Sequence, residues 1–325
     1  MSAPASVQVE AAARLHFGVL DLRGSLGRRF GGLGAAVPEP SLLLEASLDE
    51  RVLVEGPDGD RAGEFARRFL THHRLPGGVR LMVHRSIPAH SGLGSGTQLG
   101  LAVARALAEL HGLPVDPPAL ARAVGRGVRS AIGTWTFALG GFIVEGGRNP
   151  GSEAIAPLLA RYPIPERWRC VVAVPTGAPG LSGDAEAAAF ERLPPPPERD
   201  AERVAHLVLM QLLPALVEDD LPSFGAALTE VQRVTGAWFA PQQGGIFAPG
   251  PSAALVRQMA HWGAAGVGQS SWGPAVYGLV GSKPAARALA DRVRDALGSG
   301  GRVFEGGFAG SGARVGQPEP AGLND

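Results

Sequence analysis

The chain has 325 residues, with 30 basic and 30 acidic side chains, 47 glycines, 28 prolines and one cysteine, Cys170. Balanced charge speaks against a general nucleic-acid binder, which carries a basic excess, and a single cysteine excludes an intramolecular disulfide and a cysteine-based zinc site. The length suits two domains, no apolar run is long enough to span a membrane, and residues 1–13 lack the basic start and apolar core of a secretory signal, so a cytoplasmic protein is expected.

Residues 1–8 read as a loose tail. Residues 9–22 read as a strand in which Leu15, Phe17 and Val19 interleave with Arg14, His16 and Asp21. Arg14 and His16 share one face of that strand. A glycine-rich stretch follows at 24–34, and 42–54 offers two short strands. Residues 63–73 have a helical rhythm, with Phe65, Phe69 and Leu70 on one face. Its end, His72-His73, reads as a solvated helix terminus without a role. Residues 79–86 alternate as a strand. Leu99, Ala102, Val103, Ala106, Leu107 and Leu110 then form the apolar stripe of a helix that stops at Gly112. A second helix is expected over 119–129 and a strand over 137–145, entered through Gly140-Gly141.

Composition shifts near 149–151 and again at Pro163 and Pro165, placing a boundary near residue 165 between an N-terminal domain, 1–165, and a C-terminal domain, 166–325. The second half reads as strand 169–175, helices 200–217 and 221–236, strands 266–269 and 275–280, helix 284–297 and strand 301–305. The order β-α-β-β-α-β is ferredoxin-like, with an additional helix in the first crossover. Residues 193–197 form a proline-rich connector, and the last fifteen or so a mobile tail.

Four segments carry candidate chemistry. The first is the loop 87–98, in which Gly92, Gly94 and Gly96 interleave with Ser95, Thr97 and Gln98 between a strand and a long helix. Glycines allow close backbone approach, and open N–H groups at a helix start form an anion site. The bland alternative is a glycine turn at a helix entry. No lysine follows, so the loop is not of the Walker type. Its glycine spacing and the lack of an acidic strand end also argue against a dinucleotide fingerprint.

The second segment is 265–275, where Gly268, Gln269, Ser270 and Ser271 precede Trp272 between two strands. It reads either as a second substrate wall with an aromatic surface or as a loose hairpin. The third is 14–22, with His16 either a core histidine or part of a site. The fourth is 125–135, in which Arg126 and Arg129 precede Ser130 at a helix end. Those arginines suit an anionic group bidentately, or a helix C-terminus electrostatically.

In this order, the strand motif at 13–22, the P-x-x-x-G-L-G-S loop at Pro88–Ser95 and the glycine motif at 266–273 resemble the GHMP kinase superfamily. That resemblance implies an α+β, two-domain GHMP kinase-like fold: a ribosomal protein S5 domain 2-like N-terminal domain and a ferredoxin-like C-terminal domain. The chain departs from the kinases. The first carboxylate after the loop is Glu109, several turns into the helix, and residues 130–141 contain no Asp or Glu, although phosphoryl transfer to a hydroxyl commonly uses such an acid.

The strings Arg14-Leu15-His16-Phe17-Gly18, His90–Gln98, Gly125-Arg126-Gly127 with Arg129-Ser130, and Gly140–Gly147 closely resemble a non-kinase branch, the β-ribofuranosylaminobenzene 5′-phosphate synthases. The resemblance implies a decarboxylating phosphoribosyltransferase of tetrahydromethanopterin biosynthesis. Its small-molecule partners are 5-phosphoribosyl 1-pyrophosphate and 4-aminobenzoate or 4-hydroxybenzoate, with Mg2+ expected and no ATP or organic cofactor. A homodimer is expected, with no nucleic-acid or membrane partner.

On that reading Gly92, Gly94, Ser95, Gly96, Thr97 and Gln98 hold a phosphate, and Arg126 and Arg129 take another anionic group. Phe17 or Trp272 stacks on the ring, and His16 or Asp21 orients the amine or a metal, with Asp21 and Glu145 as metal candidates. Arg14, Ser130, Gly268, Gln269, Ser270 and Ser271 line the substrate. The alternatives are a GHMP small-molecule kinase and a non-catalytic phosphometabolite-binding protein.

Overall fold

The computed structural model describes residues 4–318 except 178 and 182. Two sheets organise it. The first is built on a long hairpin of β1 (Ser6–Asp21) and β2 (Phe30–Asp49). β3 (Leu53–Glu55), helix α1 (Gly59–His73) and β4 (Gly78–Arg85) follow, then helices α2 (Ser95–Leu110), α3 (Pro117–Ala123) and α4 (Ile132–Leu139), and strands β5 (Phe142–Glu145) and β6 (Leu158–Tyr162). β2 is the hub of this sheet, pairing with β1, β4 and β5.

The second sheet contains β7 (Arg169–Pro175). After β7 come helices α5 (Gly183–Arg192) and α6 (Glu198–Leu207), a π-helical turn (Val208–Leu212), α7 (Leu213–Val217), α8 (Leu221–Gln243) and α9 (Pro251–His261). β8 (Gly266–Gln269), β9 (Val276–Val280), helix α10 (Lys283–Leu297) and β10 (Gly301–Gly306) complete it, in the antiparallel order β10-β7-β9-β8. With β7 as the first strand this order is 4-1-3-2, which realises the ferredoxin-like reading. The last strand, β11 (Arg314–Gly316), returns to the first sheet and pairs with β1.

Several expected elements are corrected. The N-terminal tail is strand from Ser6, because Val7 and Val9 bury on the core face. The glycine stretch after Arg29 is the start of β2. Its glycines admit α4: a Cβ on Gly34 would lie 2.3 Å from the Ile132 side chain. The expected 119–129 helix ends at Ala123, and Arg126 and Arg129 occupy the loop between α3 and α4. Of the strand expected over 137–145, residues 137–139 instead end helix α4, and Gly140-Gly141 with positive φ turns the chain into β5. The C-terminal tail is paired as far as β11; residues 1–3 and 319–325 lie outside the described residues.

A bulge interrupts the hairpin. Register slips between His16 and Gly18, so Phe17 is the additional residue. Phe17 continues the buried face of Ala13 and Leu15 and packs against Phe142 and Tyr277, while Arg14 and His16 lie on the opposite face. Phe142 continues through Phe224 to Trp168, so one apolar core joins both sheets. Helix α8 fastens the join: Gln232 Nε2 donates to Phe17 O at 2.5 Å, and Val231 packs on Gly18. No helix among the described residues is long and apolar enough to cross a membrane.

Candidate active site

The loop before α2 reaches the helix through left-handed backbone at His90, Gly92 and Gly94. At Gly92 the reason is contact: a Cβ there would sit 2.2 Å from Ser270 O. Thr97 and Gln98 donate their amides to Gly94 O. The amides of Ser95 and Gly96 form no hydrogen bond to protein among the described residues, as the first turn of a helix leaves them.

Three arginines converge on this turn. Arg14 lies along Gly94, within 2.7 Å of where a Cβ would be, and donates to Gly92 O at 2.6 Å. The guanidinium groups of Arg126 and Arg61 meet at Gly96, 2.3 and 2.7 Å from its would-be Cβ. Arg61 pairs with Asp58 at 3.0 Å. Arg14 and Arg126 have no carboxylate partner among the described residues, and Arg126 keeps a buried Nε without any partner. Burial pulls the Arg14 pKa down to about 10, against the pull of Glu186. Burial first, then Arg61 and Arg68, lower that of Arg126. Cations that are both desolvated and crowded gain from an anion.

Beside this basin, Ser130 Oγ lies 3.3 Å from His16 Nε2 and accepts from the Ile132 amide at 3.3 Å. Burial, and next the Arg14 charge, push the His16 pKa down to about 3, so the ring is neutral at ordinary pH. A narrow cavity opens next to His16, walled by Phe239, Ile246, Gln243 and Ser271.

Of the residues singled out from sequence, Arg14, Gly92, Gly94, Ser95, Gly96, Thr97 and Arg126 come together at the head of α2. Arg129 is near but tied to Glu186 at 2.5 Å. Asp21 uses Oδ1 to accept from the Arg23 and Gly24 amides and leaves Oδ2 uncommitted.

Others are corrected. Phe17 has no exposed surface and offers no ring to a substrate. Gln98 is buried and donates to Gly133 O, between α2 and α4. Gly268 is a packing glycine whose Cβ would meet Gln232 and the Tyr277 hydroxyl at 2.5 Å. Ser270 is buried with its hydroxyl engaged, donating to Gly92 O and accepting from His16 N. Gln269 is held by Gln243, Ser271 O and the Ala248 amide. Trp272 is largely buried among Phe190 and Phe239. Glu145 is fully buried, accepts from the Gly147 and Ala131 amides, and has its pKa raised above the carboxylate norm by burial. An enclosed carboxyl with both oxygens engaged does not fit a metal, and no cluster of three or more His, Cys, Asp or Glu suited to one occurs among the described residues.

Sequence reasoning missed Arg61, Glu186 and Phe190. Arg61 was hidden because the periodic apolar face of α1 starts only near Gly63. Glu186 and Phe190 lie on α5, a helix not read from the sequence; its signal was Asp184 and Glu186 in the first turn, followed by alanines.

Two sheets joined by one core, with a glycine loop opening a buried helix that packs on the first sheet, define the GHMP class. The GHMP kinases N terminal domain matches residues 61–141 and the GHMP kinases C terminal domain matches 212–299. Homoserine kinase from Cytophaga hutchinsonii superposes with a TM-score of 0.68 at 18% identity, over 97% of this chain and 98% of that one. Beta-ribofuranosylphenol 5′-phosphate synthase of Methanothermobacter thermautotrophicus is 38% identical over 92% of this chain and 95% of its own length. The protein so named from Archaeoglobus fulgidus is 36% identical over 70% of this chain and 76% of its own length. The chain belongs to the β-ribofuranosylphenol 5′-phosphate synthase family, on the GHMP kinase-like fold.

Proposed function

We propose that the protein joins 5-phosphoribosyl 1-pyrophosphate to 4-hydroxybenzoate or 4-aminobenzoate, releasing pyrophosphate and carbon dioxide and forming a C-riboside 5′-phosphate for tetrahydromethanopterin. The observation that carries this reading is the basin at the head of α2. Open amides and two arginines without carboxylate partners face the place where an anionic group would sit. Such a basin stabilises negative charge that grows as pyrophosphate leaves the ribose C1.

The bond from C1 to pyrophosphate breaks, and the leaving group takes the electron pair. The ring carbon bearing the carboxylate attacks C1, driven by the para hydroxyl or amino group. Loss of carbon dioxide returns the C–C bonding pair to the ring. Arg14, Arg61 and Arg126 hold the pyrophosphate. The ring sits at the mouth of the narrow cavity beside His16, which would have to widen to admit it, with Phe239 in its wall. Neutral His16 and Ser130 orient the para substituent without presenting a second cation. Magnesium enters chelated to the pyrophosphate, as part of the substrate. The enzyme works as a cytoplasmic homodimer, with the N-terminal domain ending near residue 165; sedimentation analysis tests the assembly.

The experiment is incubation with 5-phosphoribosyl 1-pyrophosphate and carboxyl-labelled 4-hydroxybenzoate or 4-aminobenzoate. Labelled carbon dioxide released without ATP is the expected result. ADP formation from ATP and a small alcohol, with no decarboxylation, would replace this reading with a kinase of the same fold.

A further inference from the structure

The basin contains one contradiction. Glu186, a carboxylate, sits among the groups best suited to bind an anion. It pairs with Arg129 at 2.5 Å, both side chains being partly buried, and it is the main negative charge acting on Arg14 and Arg126. No other carboxylate forms an ion pair with any of these three arginines among the described residues. Its helix, α5, is lightly anchored: Ala189 is its one buried residue. Phe190 holds the helix in place, in edge contacts with Phe30 of the first sheet, Phe239 of α8 and Trp272, with the Arg129 guanidinium 5.7 Å above its ring.

We propose that Glu186 is a specificity-determining residue, a built-in counter-ion that pairs with Arg129 and offsets the charge of Arg14 and Arg126 until a multiply charged phosphate displaces it. A carboxylate and a phosphate use the same guanidinium geometry, so the two compete for the same cations. A singly charged anion gains too little from the basin to expel a covalently tethered carboxylate, whereas a pyrophosphate end engages several arginines at once. Glu186 thus keeps the desolvated arginines compensated when the site is empty and bars weakly charged metabolites. Displacement frees Arg129 for the substrate.

This inference rests on the basin being the phosphate site, and calorimetry separates the two. Pyrophosphate is titrated into the wild-type protein and into Glu186→Gln, which keeps the side-chain shape and removes the charge. The expected result is binding at least about tenfold tighter in the variant, the effect of removing one like charge a few ångströms away in a partly buried site. In turnover the variant shows a lower KM for 5-phosphoribosyl 1-pyrophosphate, with kcat changing less than KM. If Glu186 only positions Arg129, removing its charge weakens binding. Equal or weaker affinity in the variant, with clear binding by the wild type, therefore overturns the counter-ion role alone. Pyrophosphate binding to neither protein overturns the reading of the basin itself.

Discussion

Two loops of this protein are built from the same residue types and end in opposite roles. The loop at 90–98 and the loop at 266–275 both interleave glycines with hydroxyl and amide side chains. The first leaves donors open: among the described residues the Ser95 and Gly96 amides lack protein partners, as does Nε of Arg126, which reaches this turn from the α3–α4 loop. The second commits its donors to the protein, with Ser270 on Gly92 O, Gln269 on Gln243 and the Ala275 amide on Ser91 O at 2.9 Å. The second loop is the clamp that holds the first in its left-handed shape. Glycine and serine content therefore marks where backbones come close. Whether the close partner is a ligand or another loop depends on which polar groups stay unpaired after folding.

The sharpest break of this comparison is Arg126→Ala. It removes a cation from the open loop's anion site and should lower turnover by at least about 100-fold, the scale of losing a preoriented charge-stabilising donor. Thermal melting should remain close to wild type. Retention of a tenth of the activity would mean that the open loop is not where charge is stabilised.

Ser270→Ala tests the clamp. It deletes a hydroxyl bonded to both Gly92 O and His16 N and should cost about 1–3 kcal/mol in urea unfolding, with a smaller fractional effect on turnover than Arg126→Ala. A stable but inactive variant would show that the second loop acts on substrate directly.

A more gradual effect comes from acid. His16 has a folded pKa of about 3 against an ordinary 6.5. The unfolded chain therefore binds the proton first, and stability falls as pH drops from about 6.5 toward 3, by at most about 1.4 kcal/mol per pH unit. Glu145, with its pKa raised by burial, contributes in the opposite direction. His16→Asn should flatten the acid limb of the stability profile; an unchanged slope would mean that the imidazole accepts a proton in the folded state.

The smallest effect is expected at the far end of α2. Glu109, the first carboxylate of that helix, pairs with Arg105 at 2.7 Å on the surface. Glu109→Gln should change stability by less than about 0.5 kcal/mol and leave turnover unaltered. A large loss of activity would reinstate Glu109 as a functional acid and with it the kinase chemistry.

Much of the architecture was legible in the chain. The stripe from Leu99 to Leu110 located α2, and alternating apolar residues located β1 and β4, because these patterns report which face meets the core. Legibility failed where local pattern and tertiary environment disagree. Residues 132–139 are almost wholly apolar, so periodicity could not separate a buried helix from a strand. Glycines at 31, 32 and 34 looked like a loop, yet they are strand residues that let α4 and Glu145 come close.

The same division holds for the site. The residue types of the chain alone pointed to an amide-lined helix start with close backbone approach to an anion, with Arg14, His16 and Arg126 as candidates, because glycine spacing and helical phase are local properties. Folding decided the rest: Arg61 and Arg126 crossing over Gly96, Ser270 bracing Gly92, and Glu186 brought against Arg129. Those relations join residues 30 to 178 positions apart. Burial and charge pairing over such separations arise only when the two sheets close on a common core.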